Sequence, residues 1–302
     1  MSGAEPVDPA PRLERAPALD RADRRVWLVR EDLGPLGSFK WRGAAGHCAA
    51  LAAAGAQGVV AASTGNFAAA VAWAAQRHGL GARVVVPEGI SAAKHARLVL
   101  LGADVQRAGA DLGEAVAVAR RVAEERGWPY FEDGGSEAQL NGIATLGEAL
   151  AERGLAAVLA PVACGALAAG IALGAARRGD TAVVGVQVRA CSRLAARFHG
   201  RPDPPSRPGE TIADGLADDR LVEPAFGLCL SLLRDVLVVD ETELRSSMRL
   251  LDRVVGTMPE GAGAAALAGF LGEPLSVPAG DVAVVVSGAN LSAELRADVA
   301  AG

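Results

Sequence analysis

Short apolar, β-branched runs alternate along the chain with longer stretches in which Ala, Leu and Arg recur at helical spacing. The runs VWLVRE (26–31), GVVAAS (58–63), RVVVPE (83–88), DVQRAG (104–109), AAVLAPV (156–162), AVVGVQV (182–188), DVLVVD (235–240) and VAVVVSG (282–288) predict buried strands. Residues 111–127 and 241–255 predict amphipathic helices. Strands that are apolar throughout need cover on both faces, and intervening helices supply it, so the pattern predicts an α/β chain built on parallel sheet. The stretch RPDPPSRPGE (201–210), rich in proline and charge, predicts a surface loop. No internal repeat is visible.

Open parallel sheets bind ligands where strand C-terminal ends meet the helices that follow. Three apolar runs end in small-residue turns at that position: TGNFAAA after GVVAAS, ACGALAAG (163–170) after AAVLAPV, and SGANLS after VAVVV. In ACGALAAG, small residues let main-chain N–H groups close on an anion at a helix start, which outlines a phosphate cradle; close packing alone accounts for such a turn equally well. Ser63, Thr64, Gly65 and Asn66 form a more polar turn suited to a carboxylate or an aromatic hydroxyl, and Ser63 and Thr64 are also ordinary helix N-caps. Ser287 puts a neutral hydroxyl at a strand end, suited to a ring nitrogen or to a cap.

At 302 residues and 51% hydrophobic, the chain holds enough for a large core in one or two domains. A net charge of -5, with Arg interleaved among Asp and Glu, gives no nucleic-acid footprint. No apolar run approaches membrane-spanning length, and the N-terminal stretch MSGAEPVDPAPRLERAPALDR lacks an apolar core after a basic start, so a cytoplasmic protein with a mobile leader is expected. Cys48, Cys164, Cys191 and Cys229 are widely spaced and predict reduced thiols. His47, His78, His95 and His199 stand singly in helical contexts and read as structural or surface residues.

Charge usage sharpens one position. Of 30 Lys and Arg residues only Lys40 and Lys94 are lysine. An amine forms a Schiff base with a carbonyl and a guanidinium does not, so a lysine in GSFKWRGA (37–44) has a chemical reading beside the plain one of a solvated residue at a helix start. Lys94, in SAAKHARL, reads as a helix-surface lysine. A Schiff-base lysine, a phosphate cradle, a hydrogen-bonding asparagine turn and a neutral partner for a ring nitrogen together describe one cofactor, pyridoxal phosphate.

From about residue 13 onwards the sequence resembles the fold type II pyridoxal-phosphate enzymes, the group of tryptophan synthase β chain, cysteine synthase, threonine synthase and the serine/threonine dehydratases. GSFKWRGA, STGN, ETIADGLA (210–217), EGAGAAALAG and VVVSGANLS resemble the dehydratases (threonine ammonia-lyases) most, and PEGISAAKHARLVLLGADV and NGIATLGEAL follow in the same order. The resemblance implies two parallel-sheet α/β domains with the cofactor between them: residues 1–39 and 137–302 as the large cofactor-binding domain, 40–136 as a small mobile domain. It implies that Lys40 carries the cofactor and takes the α-proton, that Phe39 covers one ring face, and that Asn66 bonds the ring hydroxyl. Ser63, Thr64, Gly65 and Asn66 would hold the substrate carboxylate, and Ala163, Cys164, Gly165, Ala166 and Leu167 the phosphate. Gly215 would leave room beside the ring, Glu260 would lie near the cofactor, and Ser287 would face the pyridine nitrogen. A homodimer acting on a small amino acid is implied, without nucleic-acid or membrane partners.

The reaction implied is β-elimination from L-threonine or L-serine to a 2-oxo acid and ammonia. The alternatives are β- or γ-replacement of the threonine synthase kind, toward which GVQV leans, and a catalytically idle relative. Departures from the dehydratase pattern bear on both. The phosphate turn reads Ala163-Cys164-Gly165-Ala166 where four glycines are usual, so a strained, weakened cradle is expected if the substituted positions need positive φ. Gln187 and Arg193 stand where some members carry metal-binding carboxylates, so no metal is expected. Thr64 stands where racemases of the group carry serine, and Phe67 where dehydratases often carry histidine, making the pocket more apolar. The chain ends soon after SGANLS, so no regulatory domain is expected.

Overall fold

A computed structural model describes residues 10–272 and 275–302. The described residues form two compact units, one of Lys40–Gly142 and one of the residues up to Phe39 with Ile143–Gly302.

In the first unit, β3 (Gly58–Ala62), β4 (Gly81–Val86) and β5 (Asp104–Arg107) form a parallel three-stranded sheet in that order. The period-2 alternation of a strand divides its apolar residues between two layers. Val84 and Val86 pack with Ala68, Ala69 and Ala72 of α2 (Asn66–Arg77) and Leu98 of α3 (Ala92–Leu100), whereas Val85 joins Val60 and the Ala115, Ala119 and Ala123 stripe of α4 (Leu112–Arg126). Helix α4 starts at an Asp111 cap that accepts from Glu114 N at 2.9 Å and stops at Gly127, whose φ of 63° is left-handed. Helix α1 (Lys40–Ala53) packs on α2, with Trp41 and Trp73 edge to face at 6.2 Å.

The second unit holds six strands in the order β1-β2-β9-β6-β7-β8. β2 (Val26–Arg30), β9 (Val282–Val286), β6 (Ala157–Pro161), β7 (Ala182–Val188) and β8 (Asp235–Val239) run parallel. The edge strand β1 (Leu13–Arg15) pairs antiparallel with β2. It falls inside the stretch expected to be a leader. Three residues between prolines carry too little apolar pattern to announce a strand, and β1 is fixed by its partner; the rest of that expectation, residues 1–9, lies outside the described residues.

On one face of this sheet lies α10 (Gly261–Gly272), whose residues Gly261–Phe270 are all buried. It is apolar all round because α9 (Glu241–Val255) covers its other side with Leu244, Met248 and Leu251. A reciprocal capping box between Asp240 and Glu243 starts α9. Burial of Leu244, Met248 and Leu251 contributes about 1.5–3 kcal/mol each. Within the same unit, residues 143–151 of α5 (Glu137–Ala151) meet α6 (Ala166–Arg178) backbone to backbone. A Cβ on Gly147 would lie 2.1 Å from Ile171 O, and one on Gly174 would lie 2.0 Å from Ala144 O.

Candidate active site

Lys40 is the first residue of α1, and its Nζ pairs with Asp133 Oδ2, both side chains 13% exposed. Asp133 sits in the turn after WPYF, where the chain leaves Phe131 for α5. Its Oδ1 accepts from Gln139 Nε2 at 2.5 Å, and Gln139 Oε1 accepts from Gly134 N at 2.8 Å. Beside this turn the His47 ring stacks on Phe131 at 3.7 Å, its Nδ1 is 2.7 Å from Ser136 Oγ, and Phe67 meets Phe131 edge-on at 4.9 Å. Burial pushes His47 down to about 4, so its ring is neutral at pH 7 and is no cation for the site. The Ser63–Asn66 turn joins β3 to α2 in the same unit. Gly65 is the N-cap, with no side-chain cap, and its N donates to Ser63 Oγ at 3.3 Å. The hydroxyls thus do not close the helix start, as an N-cap would.

The remaining candidates belong to the second unit. Phe39 is buried, and its N donates to Ser287 O at 3.0 Å, which ties the residue before Lys40 to the end of β9. Ser287 Oγ donates to Ala262 O at 3.3 Å, and Glu260 N donates to Gly288 O at 3.2 Å. A Cβ on Gly215 would meet Ala262 Cβ at 3.0 Å and Glu260 Oε1 at 3.9 Å. Phe39, Gly215, Glu260 and Ser287 are therefore gathered around one strand end. Ser38, 1% exposed, keeps its Oγ buried there without a hydrogen-bond partner.

Ala163, Cys164, Gly165, Ala166 and Leu167 form the turn from β6 into α6. Gly165 is the N-cap, with φ +101° and no side-chain cap; a Cβ on it would lie 2.9 Å from Cys229 Sγ. Cys229 Sγ donates to Gly165 O at 3.6 Å, and burial pushes its thiol up to about 12, which keeps it protonated. The strain expected of the three substituted positions is absent: no non-glycine residue among those described has positive φ, so Ala163, Cys164 and Ala166 lie in ordinary backbone regions. Only the retained glycine needs the left-handed conformation.

These residues fit pyridoxal phosphate. The Gly165 turn stands at the head of a 13-residue helix whose first N–H groups lack a side-chain cap, as a phosphate requires. The orphaned Ser38 hydroxyl gives a polar ligand a donor. Lys94, by contrast, is exposed on α3. Gln187, fully buried, accepts from Ala195 N at 2.7 Å, and Arg193 N donates to Asp219 Oδ1 at 3.1 Å, so both residues of the expected non-metal position serve the local fold. The sequence reading missed Asp133 and Gln139. The same rule of apolar run, small-residue turn and helix applies to WPYFEDGGSEA and points to them.

A model of the pyridoxal-phosphate dependent enzymes matches residues 4–288. The chain is 32% identical over 281 residues to the biosynthetic L-threonine dehydratase of Haemophilus influenzae, covering 90% of this chain and 54% of that protein. It thus spans about half the length of the biosynthetic dehydratases it matches. Among solved structures, a T.th. threonine deaminase superposes with a TM-score of 0.85 at 33% identity, covering 95% of this chain and 94% of that one. Maize serine racemase superposes with a TM-score of 0.88 at 27% identity, covering 98% and 92%.

Proposed function

Because the chain belongs to the pyridoxal-phosphate dependent enzyme family, we propose that it removes the β-hydroxyl and the amino group of a small hydroxy amino acid, L-threonine or L-serine, giving water, ammonia and a 2-oxo acid. The observation that carries this reading is the placement of the two lysines. Lys94 is an exposed helix residue, whereas Lys40 opens α1 with a shielded amine fixed by a carboxylate. Similarity to threonine dehydratases and deaminases supports elimination over replacement.

When bound, pyridoxal phosphate draws electrons from the α-carbon of the amino acid and so loosens its C–H bond. Lys40 Nζ would be the atom that carries the cofactor and the base that holds the α-proton. Main-chain N–H groups of Ala163–Leu167 would hold the phosphate, with Phe39 covering a ring face and keeping water away. Ser63, Thr64, Gly65 and Asn66 would bind the substrate carboxylate, Asn66 also the ring hydroxyl. Gly215 would leave room for the ring, Glu260 would lie near it, and Ser287 would offer the ring nitrogen a neutral hydroxyl. Such a hydroxyl would supply no negative charge to that nitrogen, a setting that would favour loss of the β-hydroxyl. A small mobile domain, a homodimer and a cytoplasmic location complete the proposal.

Borohydride reduction of the cofactor-loaded protein followed by peptide mass spectrometry tests the site, and the expected label is on Lys40. A label on Lys94, or none at saturating cofactor, overturns the reading. Lys40→Arg keeps the charge and should lower turnover by on the order of 1,000-fold or more, measured as 2-oxo acid released from threonine and serine. Products requiring an added nucleophile would point to replacement instead.

A further inference from the structure

Asp133 is built into its position. One carboxylate oxygen takes the amide N–H of Gln139 at 2.5 Å, and Gln139, 2% exposed, is held at its other end by Gly134 N at 2.8 Å. The other oxygen meets Lys40 Nζ, which comes from 93 residues earlier in the chain. Other ionisable groups on the elements packed around Lys40 are engaged elsewhere. Glu132 pairs with Arg120, Arg42 lies over Trp41, Arg77 lies over Trp73, and Glu137 is exposed. His47 bonds Ser136. Asp133 is a carboxylate in direct contact with the Lys40 amine.

We propose that Asp133, held by Gln139, is a positioning residue that sets the charge and aim of Lys40. The proposal rests on the reading that Lys40 is the cofactor lysine and the base. A base that takes up a proton in a shielded site gains a charge that must be met, and a carboxylate fixed beforehand meets it without rearrangement. The proton stays on Nζ; Asp133 supplies the counter-charge and keeps the amine pointed, as the aspartate of a Ser-His-Asp triad does for its histidine. Gln139 does for Asp133 what Asp133 does for Lys40.

The chain carries only two lysines, so exposed Lys94 is an internal reference. The full-length protein, freed of cofactor, is treated with an amine-acylating reagent across a pH series, and acylation at both lysines is read by mass spectrometry. Lys94 serves as the reference within each sample. In Asp133→Asn the Lys40 curve should move to lower pH, raising the Lys40-to-Lys94 acylation ratio near neutrality on the order of tenfold, while Asp133→Glu keeps the native curve. In the loaded enzyme, Asp133→Asn should lower kcat and move its acid limb to lower pH. Unmoved acylation in Asp133→Asn overturns the proposal. If that variant does not fold, Asp133→Ser takes its place, and unmoved acylation there overturns the proposal. A borohydride label away from Lys40 overturns the reading of the site and this proposal with it, whereas a label on Lys40 with unmoved curves overturns this proposal alone.

Discussion

Two glycines occupy the same place in the two units. Gly65 caps α2 after β3, and Gly165 caps α6 after β6, neither helix start having a side-chain cap. Gly65 has φ -114°, and a Cβ added to it would meet nothing within 4 Å. Gly165 has φ +101°, and its added Cβ would strike Cys229 Sγ at 2.9 Å. Similar turns in the sequence therefore have different causes. The protein's own backbone and neighbours demand the second glycine. They do not demand the first, so a side chain there is excluded only if something outside the chain must approach the main chain.

The strongest way to break this contrast is Gly165→Ala. Left-handed strain costs about 1–2 kcal/mol and overpacking against the thiol about 1–3 kcal/mol, so urea unfolding should show a loss of a few kcal/mol together with poorer cofactor retention. Adding Cys229→Ala should return the packing part and leave the strain. A loss under about 1 kcal/mol would mean that the turn relaxes freely and that the two glycines are alike.

Replacing Ala163, Cys164 and Ala166 together by glycine sharpens the same point with a smaller effect. Since none of the three has positive φ, there is no strain to relieve, and the added freedom of the unfolded chain should cost about 0.4–1 kcal/mol per position. A cofactor titration should then show weaker binding. Tighter binding would show that strain is present after all.

Gly65→Ala should have the smallest effect on folding, within about 0.5 kcal/mol of the native chain in urea unfolding. Its effect should fall on the substrate, as a several-fold rise in KM for threonine or serine with bound cofactor unchanged. An unchanged KM would remove the carboxylate role proposed for the turn.

Apolar runs revealed the strands well because a strand covered on both faces has little choice of residue; AVVGVQV coincides with β7 from Ala182 to Val188. The edge strand β1 was hidden for the opposite reason, since three residues held by main-chain pairing leave no side-chain signature. Lys40 stood out through the rarity of lysine, and the fold sets its amine against a carboxylate. Asp133 and Gln139 did not stand out, because an aspartate after an apolar run looks like any turn residue until the fold brings it to an amine 93 residues away. The dihedral angles of the phosphate turn were equally silent: alanine, cysteine and glycine are all small, and only the backbone shows which one has to be glycine.

The crossing of α5 and α6 bears on how variants of this protein should be interpreted. Gly147→Ala and Gly174→Ala would rank as mild on any scale of hydrophobicity or helix preference, since alanine is the better helix former. Yet each added methyl would collide with a carbonyl oxygen, 2.1 Å from Ile171 O or 2.0 Å from Ala144 O, and could be accommodated only by moving the two helices apart. An engineer sorting substitutions by chemical similarity would pass over two positions where a single methyl group forces two helices apart.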